Sequence, residues 1–325
     1  MARMQGKTTS GAYQYFAGID VSKAHLDLRV FGSRRGQRFT NDVAGIAALI
    51  AQLAAPETGL HLVVFEPTGR YHIALWQALE RAGNGAAPCN PFQVRHLATG
   101  LGKRAKTDQI DAMVLSEIAA LLKPEVKPAP TDFEMGVKEL YAAQRGALKR
   151  RAMAKTQSLA SFNEAVKCHL AAETAFLTTE IYALTAALKT LFMANSKIRR
   201  IREVVVSIPG LADGAAAAII ADLPETGTFT RSEIAALAGP APMSQESGQW
   251  AGKAKTKGGR RSLRSDLHMP AVSAMTHNPD FKIFANRLKA HSKHSYVIIT
   301  AVLRKLLVLL NTLVKEDRLW TPEKP

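Results

Sequence analysis

Four acidic residues stand where phosphodiester chemistry would want them. Asp20 closes a short apolar run, Tyr15 to Ile19, and Glu66 closes another, Gly59 to Phe65. Asp108 and Asp111 lie at i and i+3 near the start of a helical segment, so they share one face. Ligands that are all oxygen suit hard divalent cations such as Mg²⁺ or Mn²⁺. Two such ions can clamp a phosphodiester during displacement. Taken singly, each acid also has an ordinary structural use: Asp20 can end a strand, and Asp108 can cap a helix.

Those positions require a sheet. Residues 14–30 read as two strands. In the second, Leu26, Leu28 and Val30 alternate with Asp27 and Arg29. Gln37 to Thr40 reads as a third strand, and Asn41 or Asp42 caps a helix through Leu53. Gly59 to Phe65 is a buried strand, followed by the turn Pro67-Thr68-Gly69 and a helix from Tyr71 to Ala82. A weak strand, Ala86 to Asn90, precedes a helix from Thr107 to Leu122. Strands followed by alternating strand and helix predict an α/β domain over residues 14–123, with functional groups at strand ends. Residues 1–13 are polar, lack the apolar segment of a secretory signal, and read as a disordered tail.

Pro124, Pro128 and Pro130 mark a linker. From Phe133 to Arg202 the apolar spacing is near helical, which predicts long helices, an antiparallel coiled-coil-like pair broken near Ala194-Asn195-Ser196. This middle region spans 124–202. The last region, 203–325, reads as mostly α. Its segment Ser207 to Gly214 is either a helix–hairpin–helix turn offering backbone N–H groups to a phosphate or a plain tight turn. Residues 240–262, rich in Gly, Ser and Lys, read as loop. The most apolar stretch, Val297 to Leu310, is interrupted by Arg304 and Lys305 and reads as too short to span a membrane.

Charge narrows the partners. The 325 residues carry 43 Lys+Arg against 27 Asp+Glu, a formal net charge of +16. A hydrophobic fraction of 47% excludes disorder along the whole chain, and 6% aromatic content argues against broad base-stacking surfaces. Between residues 251 and 305 stand twelve basic residues and only two acids, Asp266 and Asp280. Such clustering predicts a phosphate-binding surface, carried by Lys253, Lys255, Lys257, Arg260, Arg261 and Arg264. Cys89 and Cys168 lie far apart with no paired spacing, which argues against a disulfide scaffold or a thiolate zinc site and for a reducing compartment. No histidine pair has zinc-ligand spacing, and Gly100-Leu101-Gly102-Lys103-Arg104 is not a nucleotide-binding loop.

A strand Asp, a second strand-end Glu and a helical Asp pair follow the order of ribonuclease-H-like nucleases and resolvases. Three motifs extend the likeness: Gly18-Ile19-Asp20-Val21-Ser22-Lys23, Glu66-Pro67-Thr68-Gly69, and Lys106-Thr107-Asp108-Gln109-Ile110-Asp111-Ala112. Together they resemble the DEDD-type insertion-sequence transposases, a family that includes Piv-type DNA invertases and bridge-RNA-guided recombinases. Ser207 to Leu211, Ala235 to Gly239, Glu246-Ser247-Gly248, Lys257-Gly258-Gly259 and Ser262-Leu263-Arg264 occur in the family's order. Gln249-Trp250 and Lys255-Thr256-Lys257 depart from residues common there.

The resemblance implies a RuvC-like (ribonuclease-H-like) N-terminal domain, a coiled-coil-like middle and a C-terminal transposase domain. It implies Asp20, Glu66, Asp108 and Asp111 as ligands of Mg²⁺ or Mn²⁺, and Ser247 as the nucleophile that holds DNA as a phosphoserine. Ser244 is the neighbouring rival. It further implies double-stranded DNA as substrate, a structured guide RNA, and a homo-oligomer, dimer to tetramer, with no membrane partner. A prokaryotic, cytoplasmic and nucleoid-associated location is expected. Two other readings stand beside it: a hydrolytic RuvC-like junction resolvase, and a catalytically inactive nucleic-acid-binding protein.

Overall fold

The computed structural model describes residues 13–54, 60–100, 102, 108–238, 242–243, 246–247, 250–251, 255–256 and 259–322; between 238 and 258 only backbone is described. The chain divides into two compact units between Thr131 and Asp132.

The first unit is mixed α/β. Its strands are β1 (Tyr15–Val21), β2 (His25–Val30), β3 (Gln37–Thr40), β4 (His61–Phe65) and β5 (Gly85–Pro88), and its helices are α1 (Val43–Leu53), α2 (Ile73–Arg81), α3 (Pro91–Gly100) and α4 (Asp108–Leu122). The strands form one sheet in the order β3-β2-β1-β4-β5. β1, β2 and β3 pair antiparallel, while β1, β4 and β5 run parallel. Asp42 caps α1 by accepting a hydrogen bond from the Gly45 N–H at 2.8 Å. Of the helices, α3 has no counterpart in the sequence reading. Its apolar positions, Phe92, Val94 and Leu97, are too few to mark a periodic face.

Strand alternation sorts side chains to the two faces of the sheet. Ala17, Ile19, Val21, Leu26, Leu28, Val63 and Phe65 pack with Ile46, Leu49 and Leu53 of α1 and Leu75 and Leu79 of α2. On the other face Leu62, Val64 and Ala87 pack with Val94 of α3 and Val114, Leu115 and Ile118 of α4. Tyr13, which sequence places in the tail, is buried in this second layer. Every second residue of β1, including Gly18 and Asp20, therefore lies on the side covered by α4.

The second unit is mostly helical: α5 (Asp132–Ala160), α6 (Glu164–Ala194), α7 (Ser196–Ser207), α8 (Asp213–Asp222), α9 (Arg231–Ala238), α10 (Arg261–Asp266), α11 (His268–His277), α12 (Pro279–Ala290) and α13 (Ser295–Lys315). α5 and α6 form an antiparallel pair, in which Gln144 donates to Thr185 at 2.7 Å and Ala147 packs on Leu177 and Ile181. The hairpin turn is at residues 161–163, not near Ala194 as the sequence suggested. Asn163 and Asn195 both accept hydrogen bonds from the first turn of the following helix. The Asn195 break only separates α6 from α7. The base of the hairpin shares one core with α7 to α13, through Val137, Tyr141, Leu188 and Phe192.

Two further expectations change. At the α7–α8 turn, Gly210 has φ of 93°, and a Cβ there would sit 2.8 Å from the Ala274 backbone. Asp213 in the first turn of α8 pairs with Arg202 at 2.6 Å, so a carboxylate already faces this helix start. The tight-turn reading fits this geometry. The apolar C-terminal stretch reads from sequence as too short for a membrane, yet α13 is long and apolar enough by length and composition. Ile298, Val302, Leu306, Leu307, Leu310 and Leu313 commit one side of it to the core.

Candidate active site

The sheet register assembles the acids. The β1–β2 hairpin sets Asp20 directly opposite Asp27, and β2–β3 sets Asp27 opposite Arg38. The parallel β1–β4 ladder ends on the pair Ile19 and Phe65, so Asp20 and Glu66 are the next residues along each strand. A row of charged residues thus crosses four strands on the face that α4 covers. α4 begins at Asp108 and adds Asp108 and Asp111 in its first turn.

Ligand atoms of Asp20, Asp27 and Asp108 lie within 4.8 Å of one another. Asp27 is buried, Asp20, Glu66 and Asp111 are half-buried, and Asp108 is exposed. Burial, then the charges of Asp111, Asp108, Asp27 and Glu66 in that order, push the Asp20 carboxyl up to about 6. The charges of the other three predicted acids therefore all act on Asp20, together with that of Asp27. Arg38 offsets part of this charge. Its Nε donates to Asp27 Oδ1 at 2.9 Å, and its Nη2 donates to Asp27 Oδ2 at 3.0 Å and to Asp108 Oδ2 at 2.8 Å.

Crowded carboxylates with oxygen donors fit a divalent cation, whose charge removes their mutual repulsion. Among the described residues, Asp20, Asp27 and Asp108 bring ligand atoms close enough together to hold one; the predicted Glu66 and Asp111 are not in that cluster, although their charges act on Asp20. A pH dependence follows for the metal-free protein. The folded Asp20 carboxyl titrates near 6, above its unfolded value of 3.8. Its contribution to stability is fully present below 3.8 and is lost as pH rises through about 6. Asp20→Asn removes that loss. Its melting temperature in chelator should gain on the parent's between about pH 4 and 6, and the gain should then level off. A pH-independent difference between the two proteins would refute the electrostatic account of Asp20.

Ser247 stands in the second unit. The sequence read 240–262 as loop, but it contains two short antiparallel ladders. β6 (Pro242–Met243) pairs with β9 (Lys255–Thr256), and β7 (Glu246–Ser247) pairs with β8 (Trp250–Ala251). Ser247 pairs with Trp250, and Glu246 with Ala251. Two-residue strands carry no readable alternation, which is why composition alone suggested loop. The segment is closed at its base, where the Arg260 N–H donates to the Leu237 carbonyl at 2.7 Å.

Two family models match this chain. One, the DEDD type described as a transposase, covers residues 17–166. The other, described as the transposase IS116/IS110/IS902 family, covers residues 202–286. The chain carries the two transposase domains of the IS110 family. The pilin gene-inverting protein of Moraxella bovis is 26% identical over 314 residues, which is 93% of this chain and 96% of that protein. Its namesake from Moraxella lacunata matches over the same span at the same identity. Transposase domains imply DNA as the substrate and recombination as the activity, and the DEDD type implies divalent metal use.

Within these transposase domains, the predicted basic residues separate. Arg260 is a fastener: Nη1 and Nη2 grip Glu225 at 2.9 and 2.8 Å, and Nη1 also donates to the Asp222 carbonyl at 2.6 Å. Asp266, at the end of α10, accepts from Tyr141 at 2.6 Å and from Arg145 at 2.9 Å. These contacts fix the C-terminal exit of the serine segment. Arg261 is exposed and Arg264 half-buried. Ser244, Lys253 and Lys257 lie outside the described residues, and of Lys255 only the β9 backbone is described. Sequence reasoning passed over Asp27 and Arg38. The three-residue turn between β1 and β2 was the available signal, since it fixes Asp27 opposite Asp20.

Proposed function

We propose that this protein cuts and rejoins double-stranded DNA through a phosphoserine on Ser247, assisted by Mg²⁺ or Mn²⁺ at Asp20, Glu66, Asp108 and Asp111. One observation carries the reading: the charges of the other three acids converge on a half-buried Asp20. The sheet order β3-β2-β1-β4-β5, with α4 over Asp20, supports a RuvC-like fold for the first unit. A bound divalent ion supplies positive charge that polarises the phosphate and stabilises charge developing in the displacement.

Asp20 and Glu66 fix the ligand positions from rigid strand ends, and Asp108 and Asp111 close over them from one helical turn. Ser247 Oγ forms a bond to phosphorus while a DNA oxygen leaves and takes up the proton the serine gives up. The reverse step, by an oxygen of the second duplex, restores the serine and the phosphodiester. The backbone bond is conserved, so no nucleotide cofactor is consumed. Gly248 beside Ser247 lets a phosphate approach closely. The name of the Moraxella relatives supports DNA inversion as one form of this reaction.

The family resemblance carries two further readings. A structured RNA selects the duplexes by base pairing. Two or four copies assemble so that carboxylates and serine from different protomers form one composite site. The test is a plasmid bearing the DNA that flanks the reading frame, incubated with protein, that flanking RNA and Mg²⁺. Recombinant circles should form without ATP, and digestion of the RNA beforehand should prevent them. Nicked DNA with free, ligatable ends would instead favour the hydrolytic resolvase.

A further inference from the structure

Asp27 and Arg38 have no part in the reaction just described, yet they extend the acid row by two strands. The Arg38 contacts are unequal. Towards Asp27 the guanidinium makes a two-point fork onto a carboxylate only 7% exposed. Towards Asp108 it makes a single bond onto a carboxylate 58% exposed. Bidentate, sheltered pairs are the strong ones, and single exposed pairs are weak. Arg38 is therefore fastened to Asp27 and only leans on Asp108. Both oxygens of Asp27 accept from Arg38, which makes Asp27 the anchor of the guanidinium.

Asp108 has two sets of neighbours. Its Oδ2 accepts from Arg38, and one of its carboxylate oxygens lies within 4.8 Å of ligand atoms of Asp20 and Asp27. A cation shared by Asp20 and Asp108 must compete with Arg38 for the same carboxylate, and it is repelled by the guanidinium charge. We propose that Arg38, anchored on Asp27, is a built-in counter-ion that holds Asp108 in place without metal and yields it when a divalent ion binds. Arg38 is thus a positioning residue that lowers the affinity of the site for metal and keeps the metal-free site assembled. The inference rests on reading the acids as a metal site.

The test is Mn²⁺ binding to the full chain without DNA, followed by electron paramagnetic resonance. Parent, Asp20→Asn, Arg38→Gln and the double variant Asp27→Asn/Arg38→Gln are compared. Loss of binding in Asp20→Asn assigns the signal to this site; its persistence there would overturn the metal-site reading itself. Arg38→Gln should bind Mn²⁺ about tenfold more tightly, since a nearby positive charge and a competitor are both removed. The double variant guards against misfolding, because it leaves no unpaired buried charge and retains amide partners. It keeps the pair neutral, so only the competition for Asp108 is lost, and it should bind roughly threefold more tightly. Parental or weaker affinity in the double variant, with an unchanged melting temperature and Asp20-dependent binding intact, would overturn the proposal.

Discussion

Asp20→Asn should reduce DNA strand cleavage by about 10³-fold or more, while the protein remains folded. The substitution keeps shape and hydrogen bonding but removes the charge at the centre of the acid row. Metal-assisted charge stabilisation contributes several kcal/mol to a displacement, and each 1.36 kcal/mol is about tenfold in rate. Asp20 is the penultimate residue of β1, on the face covered by α4, and carries no part of the apolar core. The loss of rate is thus separable from loss of fold. Glu66→Gln and Asp111→Asn should act in the same direction, and excess chelator should reproduce the effect on the parent. Cleavage by Asp20→Asn within about tenfold of the parent would remove the acids from the reaction.

Gly18→Ala should unfold or distort the first unit through a single methyl group. A Cβ at Gly18 would overlap the Ser116 backbone nitrogen and the Ala112 carbonyl oxygen, and would sit 2.6 Å from the Leu115 carbonyl carbon. All three atoms are α4 backbone, so no side chain can move aside. Overpacking usually costs about 1–3 kcal/mol, and more where the neighbours cannot yield. Against a net stability of about 5–15 kcal/mol for a domain, a loss of roughly 3 kcal/mol or more is expected here. Denaturant unfolding of the two proteins measures it. The same glycine lets α4 lie directly on β1, which brings Asp108 and Asp111 over Asp20. A variant that stays folded by lifting α4 away should therefore lose Mn²⁺ binding. Parental stability together with parental Mn²⁺ binding would show that the close approach is dispensable.

Much of the first unit was legible because its signals are local. The alternation of Leu26, Leu28 and Val30 marks β2, and the unbroken run ending at Phe65 marks a strand buried on both faces. Asp42 announced α1 by its capping chemistry. The four acids were legible as positions along the chain, but their convergence depends on register, which joins residues distant in sequence. Asp27 shows the difference. Its alternation marked it only as opposite in face to Leu26 and Leu28, and pairing with β1 and β3 placed it between Asp20 and Arg38. The hairpin turn at 161–163 holds neither Pro nor Gly, and its one local signal is Asn163, which caps the start of α6. Arg260 looked like one more phosphate contact in a basic run; Glu225, thirty-five residues earlier, is what it grips. Ser247 carries no local signal, because a serine in a glycine-rich segment is ordinarily a turn residue. Only the resemblance singled it out.

The central claim is that Ser247 attacks phosphorus. The most direct measurement is a search for a covalent protein–DNA adduct on a substrate whose cleaved strand cannot be rejoined. A serine hydroxyl is a weak nucleophile until activated, so the adduct should need both Mg²⁺ and the intact acid row. It should survive denaturing detergent and yield, after digestion, a phosphopeptide containing Ser247. Ser247→Ala should bind DNA and give neither adduct nor recombinant, while Ser244→Ala should still give the adduct. Cleaved DNA with free ends from the Ser247→Ala protein would contradict the account and make water the nucleophile.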